Sequence, residues 1–226
     1  MILSVHIADV GARTAALLAA SPHAHRVPGL LYARTMLGAD LTPRLAPAPR
    51  PGRVGLVAAW EDDAGLERFL VTHWLARALS GGWHVRLEPL RAWGAWRALP
   101  DLPGPAFSEL GSDPVAVLTL GRVRLRRLVP FLRASARAEG EAVANPEMLA
   151  GTAMARPPRL VCTFSVWRTA QAMREYAQGD PAAGHPRAVA EHLHRPFHHE
   201  SVFVRLRPYA SSGAWDGRDP LAVTRR

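Results

Sequence analysis

The sequence predicts an α+β fold in which two tandem copies of a βαββαβ, ferredoxin-like unit close against each other into one barrel within a single chain. Two observations carry that expectation. The first is that three blocks of residues recur in the same order with the same internal spacing. Pro28, Leu31 and Met36 return as Pro146, Leu149 and Met154, and Trp60, Leu66 and Phe69 return as Trp167, Met173 and Tyr176. Val85-Arg86-Leu87-Glu88-Pro89 followed by Gly94-Ala95-Trp96 returns as Val204-Arg205-Leu206-Arg207-Pro208 followed by Gly213-Ala214-Trp215. Ordered recurrence of this kind marks an internal duplication. The second is that each copy alternates strand-like and helix-like hydrophobic periods. A βαββαβ unit makes an antiparallel sheet with its helices on one face, so the other, apolar face needs a partner, and the second copy supplies it.

In the first copy, residues 2–7 alternate as a strand, 10–20 are an Ala- and Leu-rich helix, and a second strand follows Pro28-Gly29. Residues 54–60 read as a third strand, 63–79 as a helix with Leu66, Phe69, Leu70, Trp74 and Leu75 on one face, and 83–90 as a fourth strand. The second copy repeats this with strands near 115–121, 148–155, 159–167 and 201–207 and helices near 124–138, 169–178 and 186–194. Pro89 and Pro208 lack an amide donor and are expected to stop their strands. The expected divisions are a first repeat at 1–96, a Pro/Gly-rich linker at 97–113 and a second repeat at 114–226. Glu61, Asp62 and Asp63, between a strand and a helix, favour the helix N-terminus electrostatically rather than forming an acid/base pair. Trp60, Trp96, Trp167 and Trp215 occupy equivalent positions in the two copies and are expected in the core.

The net charge is +9 and every basic residue is an arginine. Without a basic low-complexity tail or a reader motif, these arginines are expected to be solvated surface, and no nucleic-acid partner is expected. The single cysteine, Cys162, excludes an intrachain disulfide and a CxxC site, and is expected to be a small core residue. The N-terminal pattern is neither a signal peptide nor a spanning helix, so the expectation is a cytoplasmic protein with no integral membrane segment. There is no GxGxxG turn, P-loop or GxSxG elbow, and dependence on a nucleotide or flavin has no support.

The copies differ in one region. Trp60 to Pro89 is 29 positions and Trp167 to Pro208 is 41, so the second copy carries 12 extra residues between its last helix and last strand. His185, His192, His194, His198 and His199 lie in this region. Three readings stay open. His185, beside Gly184, would ligate haem iron through one ring nitrogen, with the other held by a carbonyl or a carboxylate, for which Glu191 is the candidate. Alternatively His192, His194, His198 or His199, with Glu200, would bind zinc or non-haem iron. The third reading is an exposed polar loop. Arg34 on the second strand, and Arg156 and Arg159 in the turn between the second and third strands of the second copy, are the candidate catalytic residues. A guanidinium facing an apolar cavity can polarise bound oxygen or grip a haem propionate.

The run Val54-Gly55-Leu56-Val57-Ala58-Ala59-Trp60-Glu61-Asp62, the strands Trp83-His84-Val85-Arg86-Leu87 and Thr163-Phe164-Ser165-Val166-Trp167, and the ending Gly213-Ala214-Trp215-Asp216-Gly217-Arg218-Asp219-Pro220-Leu221 resemble the spheroidene monooxygenase family. The resemblance spans nearly the whole chain. It implies oxygenation of acyclic carotenoids, a haem cofactor and an organisation like that of the dimeric α+β barrel proteins. It also implies a haem in the second half, with Gly184-His185 similar to the family's Gly-His at the start of this helix. The chain departs from the pattern at 192–200, where it is His-rich. The expected function is a haem-dependent monooxygenase acting on a small apolar substrate such as a carotenoid, with an electron donor that the residues do not name. The alternative is a cofactor-free barrel of the same fold that oxygenates an activated substrate without metal, or binds a small hydrophobic molecule. The expected state is a monomer with a pseudo-dimeric barrel, or a homodimer.

Overall fold

The computed structural model describes residues 1–19, 21–45, 49–99, 102 and 113–222. Its strands are β1 (Ile2–Asp9), β2 (Leu30–Asp40), β3 (Pro49–Trp60), β4 (Trp83–Ala95), β5 (Val115–Val123), β6 (Met148–Arg156), β7 (Leu160–Trp167) and β8 (His198–Gly213). They form a closed antiparallel barrel in the order β1-β3-β2-β6-β7-β5-β8-β4. The helices α1 (Thr14–Ala19), α2 (Asp63–Thr72), α3 (Trp74–Leu79), α4 (Leu128–Ala144), α5 (Ala170–Gln178) and α6 (Gly184–His194) connect the strands. No helix among the described residues is long and apolar enough to cross a membrane.

The ring order is one four-strand pattern used twice, β4-β1-β3-β2 and β8-β5-β7-β6, joined at the β2–β6 and β4–β8 seams. The register makes the duplication explicit. On one seam Glu88 lies opposite Arg207, the residue that duplicates it, and Trp83 opposite Gly213 mirrors Gly94 opposite Val202. On the other seam Leu37 lies opposite its own duplicate, Ala155. A pseudo-two-fold axis therefore crosses both seams, as in an isologous dimer contact, but within one chain.

Alternation along each strand sends one residue set inward. Leu3, Val5, Ile7, Val85, Leu118, Phe164, Val204 and Leu206 belong to one buried cluster that fills the barrel. The two Gly-Ala-Trp repeats plug its ends. Gly94 and Gly213 have φ of +82° and +84°, and a Cβ at either position would run into a carbonyl oxygen, of Ser201 or Gly82. Glycine is therefore required at the point where each long strand turns in, and it delivers Trp96 and Trp215 into the same core. Trp215 sits 5.4 Å from Trp83, whose indole nitrogen donates to Asp219 at 2.9 Å. Cys162 and all four repeated tryptophans are buried, as expected.

The structure differs from the sequence expectation at several elements: the helix expected at 10–20 starts at Thr14 after a 3-10 turn at Gly11–Arg13, and Arg156, expected in a turn, ends β6. The helix expected at 63–79 breaks at His73, whose Nδ1 accepts from the Leu75 amide and so starts α3. The helix expected from residue 124 begins at Leu128, after a short 3-10 turn at Leu125–Arg127. β4 and β8 do not stop at Pro89 and Pro208 but run on to Ala95 and Gly213. Register shifts beside both prolines, between Arg86 and Leu87 and between Pro89 and Arg91, absorb the missing amides. Asp62 caps α2 by accepting from Gly65 at 2.9 Å. Most of the expected linker at 97–113 lies outside the described residues.

A half-open sheet face in the second copy

With the lumen filled, a ligand site must lie on an outer face of the barrel, and the two copies treat that face differently. In the first copy Ser4, His6, Ala8, Val54, Leu56, Ala58 and Trp60 are all buried, under a lid that includes Leu66 and Phe69 of α2 and Leu75 and Leu79 of α3. Their duplicates at the centre of the second sheet, Val117, Thr119, Val161, Thr163 and Ser165, are only half-buried. The cause is the cover. Met173 and Tyr176 of α5 repeat Leu66 and Phe69, but no helix among the described residues repeats α3. The inserted residues make α6 instead, which packs along α4. Gly184 permits the close approach, because a Cβ there would lie 2.8 Å from the Arg137 carbonyl carbon. Its amide donates to Glu141 at 2.6 Å.

The five histidines of this region do not gather at one place. His185, in the first turn of α6, lies 4.9 Å from the Tyr176 ring, which stacks on Trp167 at 4.8 Å. Its Nδ1 meets the Ala177 carbonyl at 3.2 Å. A carbonyl only accepts, so Nδ1 carries the proton and Nε2 carries the lone pair. Burial lowers the His185 pKa and keeps the ring neutral. Two turns along α6, His192 has the opposite tautomer, since its Nδ1 accepts the Phe197 amide at 3.2 Å. His198, at the start of β8, lies 5.1 Å from His192 and over Gly121, where any Cβ would be within 2.7 Å of its ring. Both His198 nitrogens are buried without a hydrogen-bond partner, and burial lowers its pKa to about 4. His194 and His199 are exposed. Among the described residues, no group of three or more His, Cys, Asp and Glu side chains is placed to hold a metal ion.

The other expected site residues lie elsewhere. Glu191 does not meet His185; it pairs with Arg137 at 2.8 Å and Arg187 at 3.3 Å, and of the two kinds of partner expected for the ring it is a carbonyl, that of Ala177, that is present. Arg34 is exposed and lies 5.7 Å from the Tyr32 ring. Arg156 ties the β2–β6 seam, with Nη1 donating to Ser21 Oγ at 3.0 Å, to Thr35 and to the Leu18 carbonyl. Arg159 is exposed in the turn before β7, at the opposite end of that strand from Trp167 and His185. At the usual strand rise the eight positions from Arg159 to Trp167 put those two residues roughly 26 Å apart.

The arginine on the half-open face is Arg205, which sequence reasoning did not single out. It lies opposite Val117 and Arg91, 5.3 Å from the Trp93 ring, and its Nε is buried without a partner. Burial, Arg174 and Arg91 all lower its pKa. Its duplicate, Arg86, is held by Asp63 at 2.9 Å and by Glu67. In the Trp60/Trp167 register those two acids become Ala170 and Arg174. The second copy thus keeps the arginine, loses both counter-ions and adds a cation. That substitution pattern was the available signal.

These features define an α+β barrel of two fused ferredoxin-like halves, one sealed and one with a basic, partly apolar outer layer. The chain is 28% identical over 200 residues to the spheroidene monooxygenase of Rubrivivax gelatinosus, covering 84% of this chain and 73% of that one. It is 25% identical over 183 residues to the spheroidene monooxygenase of Rhodobacter capsulatus, covering 77% and 75%. A solved aldoxime dehydratase shares the fold, with a TM-score of 0.56 at 12% identity over 98% of this chain and 86% of that one. No family model matches.

Proposed function

We propose that the protein is a haem-dependent monooxygenase of an apolar substrate, an acyclic carotenoid of the kind for which its spheroidene monooxygenase relatives are named. The observation that carries the haem reading is the forced tautomer of His185. Its Nδ1 proton is committed to the Ala177 carbonyl, which leaves Nε2 with its lone pair free for a metal, in the copy whose outer sheet face is only half-buried. The donor set suits the group: one imidazole for iron, and Arg205 with Arg174, lacking carboxylate partners among the described residues, for propionates. When bound, haem would supply the iron that activates oxygen for insertion into the substrate.

The chain's own residues do the rest. Tyr176, itself stacked on Trp167, packs at a tilt against the His185 ring, and the Ala177 carbonyl holds that ring through Nδ1. Val117, Val161 and Phe203 give the sheet side an apolar surface that orients an apolar chain and limits water. His198, neutral and unpartnered, can donate or accept one hydrogen bond at the far end of the same layer.

The test is a haemin titration of the purified chain, followed by visible spectroscopy. Wild type should develop a Soret band of a histidine-ligated haem, and His185→Ala should lose or shift it. A wild type that stays colourless would favour the cofactor-free barrel. A His185→Ala variant with an unchanged spectrum would remove His185 as the ligand.

A further inference from the structure

Arginine is neutralised over much of this molecule. Arg53 is bound by Asp9 and Asp216, Arg86 by Asp63 and Glu67, Arg137 by Glu191 and Arg207 by Glu88. One end of the second copy is different. Arg124, Arg126, Arg127 and Arg195, with Pro196, line a surface groove of about 680 Å³. None of the four meets a carboxylate among the described residues; at this end Arg122 alone does, through Glu200 at 3.3 Å. The sequence has no acid between Arg122 and Glu139. Two of the guanidinium groups are held in place, Arg124 by donating to the His198 carbonyl at 2.9 Å and Arg127 by lying 5.6 Å from the Phe197 ring.

The same end carries large apolar side chains in water. Leu125 is 47% exposed, Val129 50% and Leu193 75%, and Leu128 is also exposed. α4 and α6 run antiparallel, as the Gly184–Glu141 and Arg127–Arg195 contacts at their opposite ends require, so Leu193 shares this end with the other three. Leucines interleaved with arginines that have no counter-ion are what an anionic bilayer surface accepts, since phosphate headgroups take the charge and the acyl boundary takes the apolar side chains. A nucleic-acid backbone would leave the leucines in water. A second copy would set arginine against arginine.

We propose that this end of the molecule docks on an anionic lipid bilayer, with Arg124, Arg126, Arg127 and Arg195 on lipid phosphates and Leu125, Leu128, Val129 and Leu193 at the acyl boundary. The proposal does not depend on haem. It would let a protein without a spanning helix among its described residues meet a substrate dissolved in lipid.

The experiment is co-sedimentation of the full chain with phosphatidylcholine vesicles, with and without a minority of phosphatidylglycerol. Two surface double variants are compared, Arg126→Glu/Arg195→Glu and Leu125→Ser/Leu193→Ser, each checked for an unchanged melting temperature. Wild type should partition to the anionic vesicles and stay in solution with phosphatidylcholine alone. Each double variant should lower the partition coefficient by about tenfold or more. The proposal is overturned by a wild type that stays in solution with both vesicles, or by either variant partitioning like wild type. Duplex DNA bound more tightly than the vesicles, and unaffected by Leu125→Ser/Leu193→Ser, would assign the arginines to nucleic acid instead.

Discussion

His6 shows at the scale of one residue how burial sets a pH limit on this fold. It points from β1 into the sealed outer layer of the first copy, where its Nε2 lies 3.1 Å from Ser4 Oγ. Burial, with His84 and Arg86, lowers its pKa from 6.5 to about 3. Between those values the unfolded chain binds a proton that the folded one refuses, so stability falls as pH drops below 6.5. The expected slope is about 1.4 kcal/mol per pH unit for such a group. Urea midpoints measured from pH 7 to pH 4.5 should therefore decline, and His6→Gln should flatten the decline. His198 contributes in the same direction, with its pKa lowered to about 4. The sequence placed His6 in a strand, but which face that strand turned to solvent depended on the helices above it.

At the scale of elements, the informative comparison is between α2 and α5, which cover duplicated arginines with opposite charges. Arg86 is paired to two half-exposed acids of α2, and Arg86→Met should cost about 1 kcal/mol. Arg205 has no carboxylate partner among the described residues, and its Nε is buried without a partner. In the ligand-free protein Arg205→Met should leave the melting temperature unchanged or raise it, because an uncompensated, partly buried charge is removed. Haemin should stabilise wild type more than Arg205→Met. Thermal melts of the two variants with and without haemin check both statements; a ligand-free Arg205→Met protein melting well below wild type would argue that the guanidinium is structural. The repeat made these positions comparable from sequence, and the exchange of Asp63 and Glu67 for Ala170 and Arg174 could have been read there. It gained meaning only when Arg86 was seen to bind both acids.

At the scale of the molecule, the barrel is closed by two seams and stoppered by two tryptophans. Gly213→Ala forces a side chain into a positive-φ position and against the Gly82 carbonyl, which should lift Trp215 from the core and cost about 2 kcal/mol or more. Gly94→Ala should do the same at the other end, through Trp96. Equilibrium denaturation with tryptophan fluorescence measures both, and equal losses would reflect the pseudo-symmetry. Loss of neither would mean that the plugs are not held by the glycines. The filled lumen also moves the proposed site from the inside of the barrel to the layer between β5–β8 and the helices of the second copy.

The duplication, the strand order implied by a βαββαβ unit, the burial of the repeated tryptophans and the His-rich insertion are properties of spacing and hydrophobic period, and these are local enough to be read from the chain alone. The resemblance to spheroidene monooxygenases could also be read from it. Tertiary structure decided what depends on contacts between distant residues. It set the His185 tautomer through Ala177, took Glu191 away to Arg137, and put Arg156 in a seam and Arg159 at the far rim. It left one sheet face sealed and its duplicate half-open. A period tells which side of an element is apolar, but a hydrogen-bond partner or an unneutralised charge exists only once two distant segments meet.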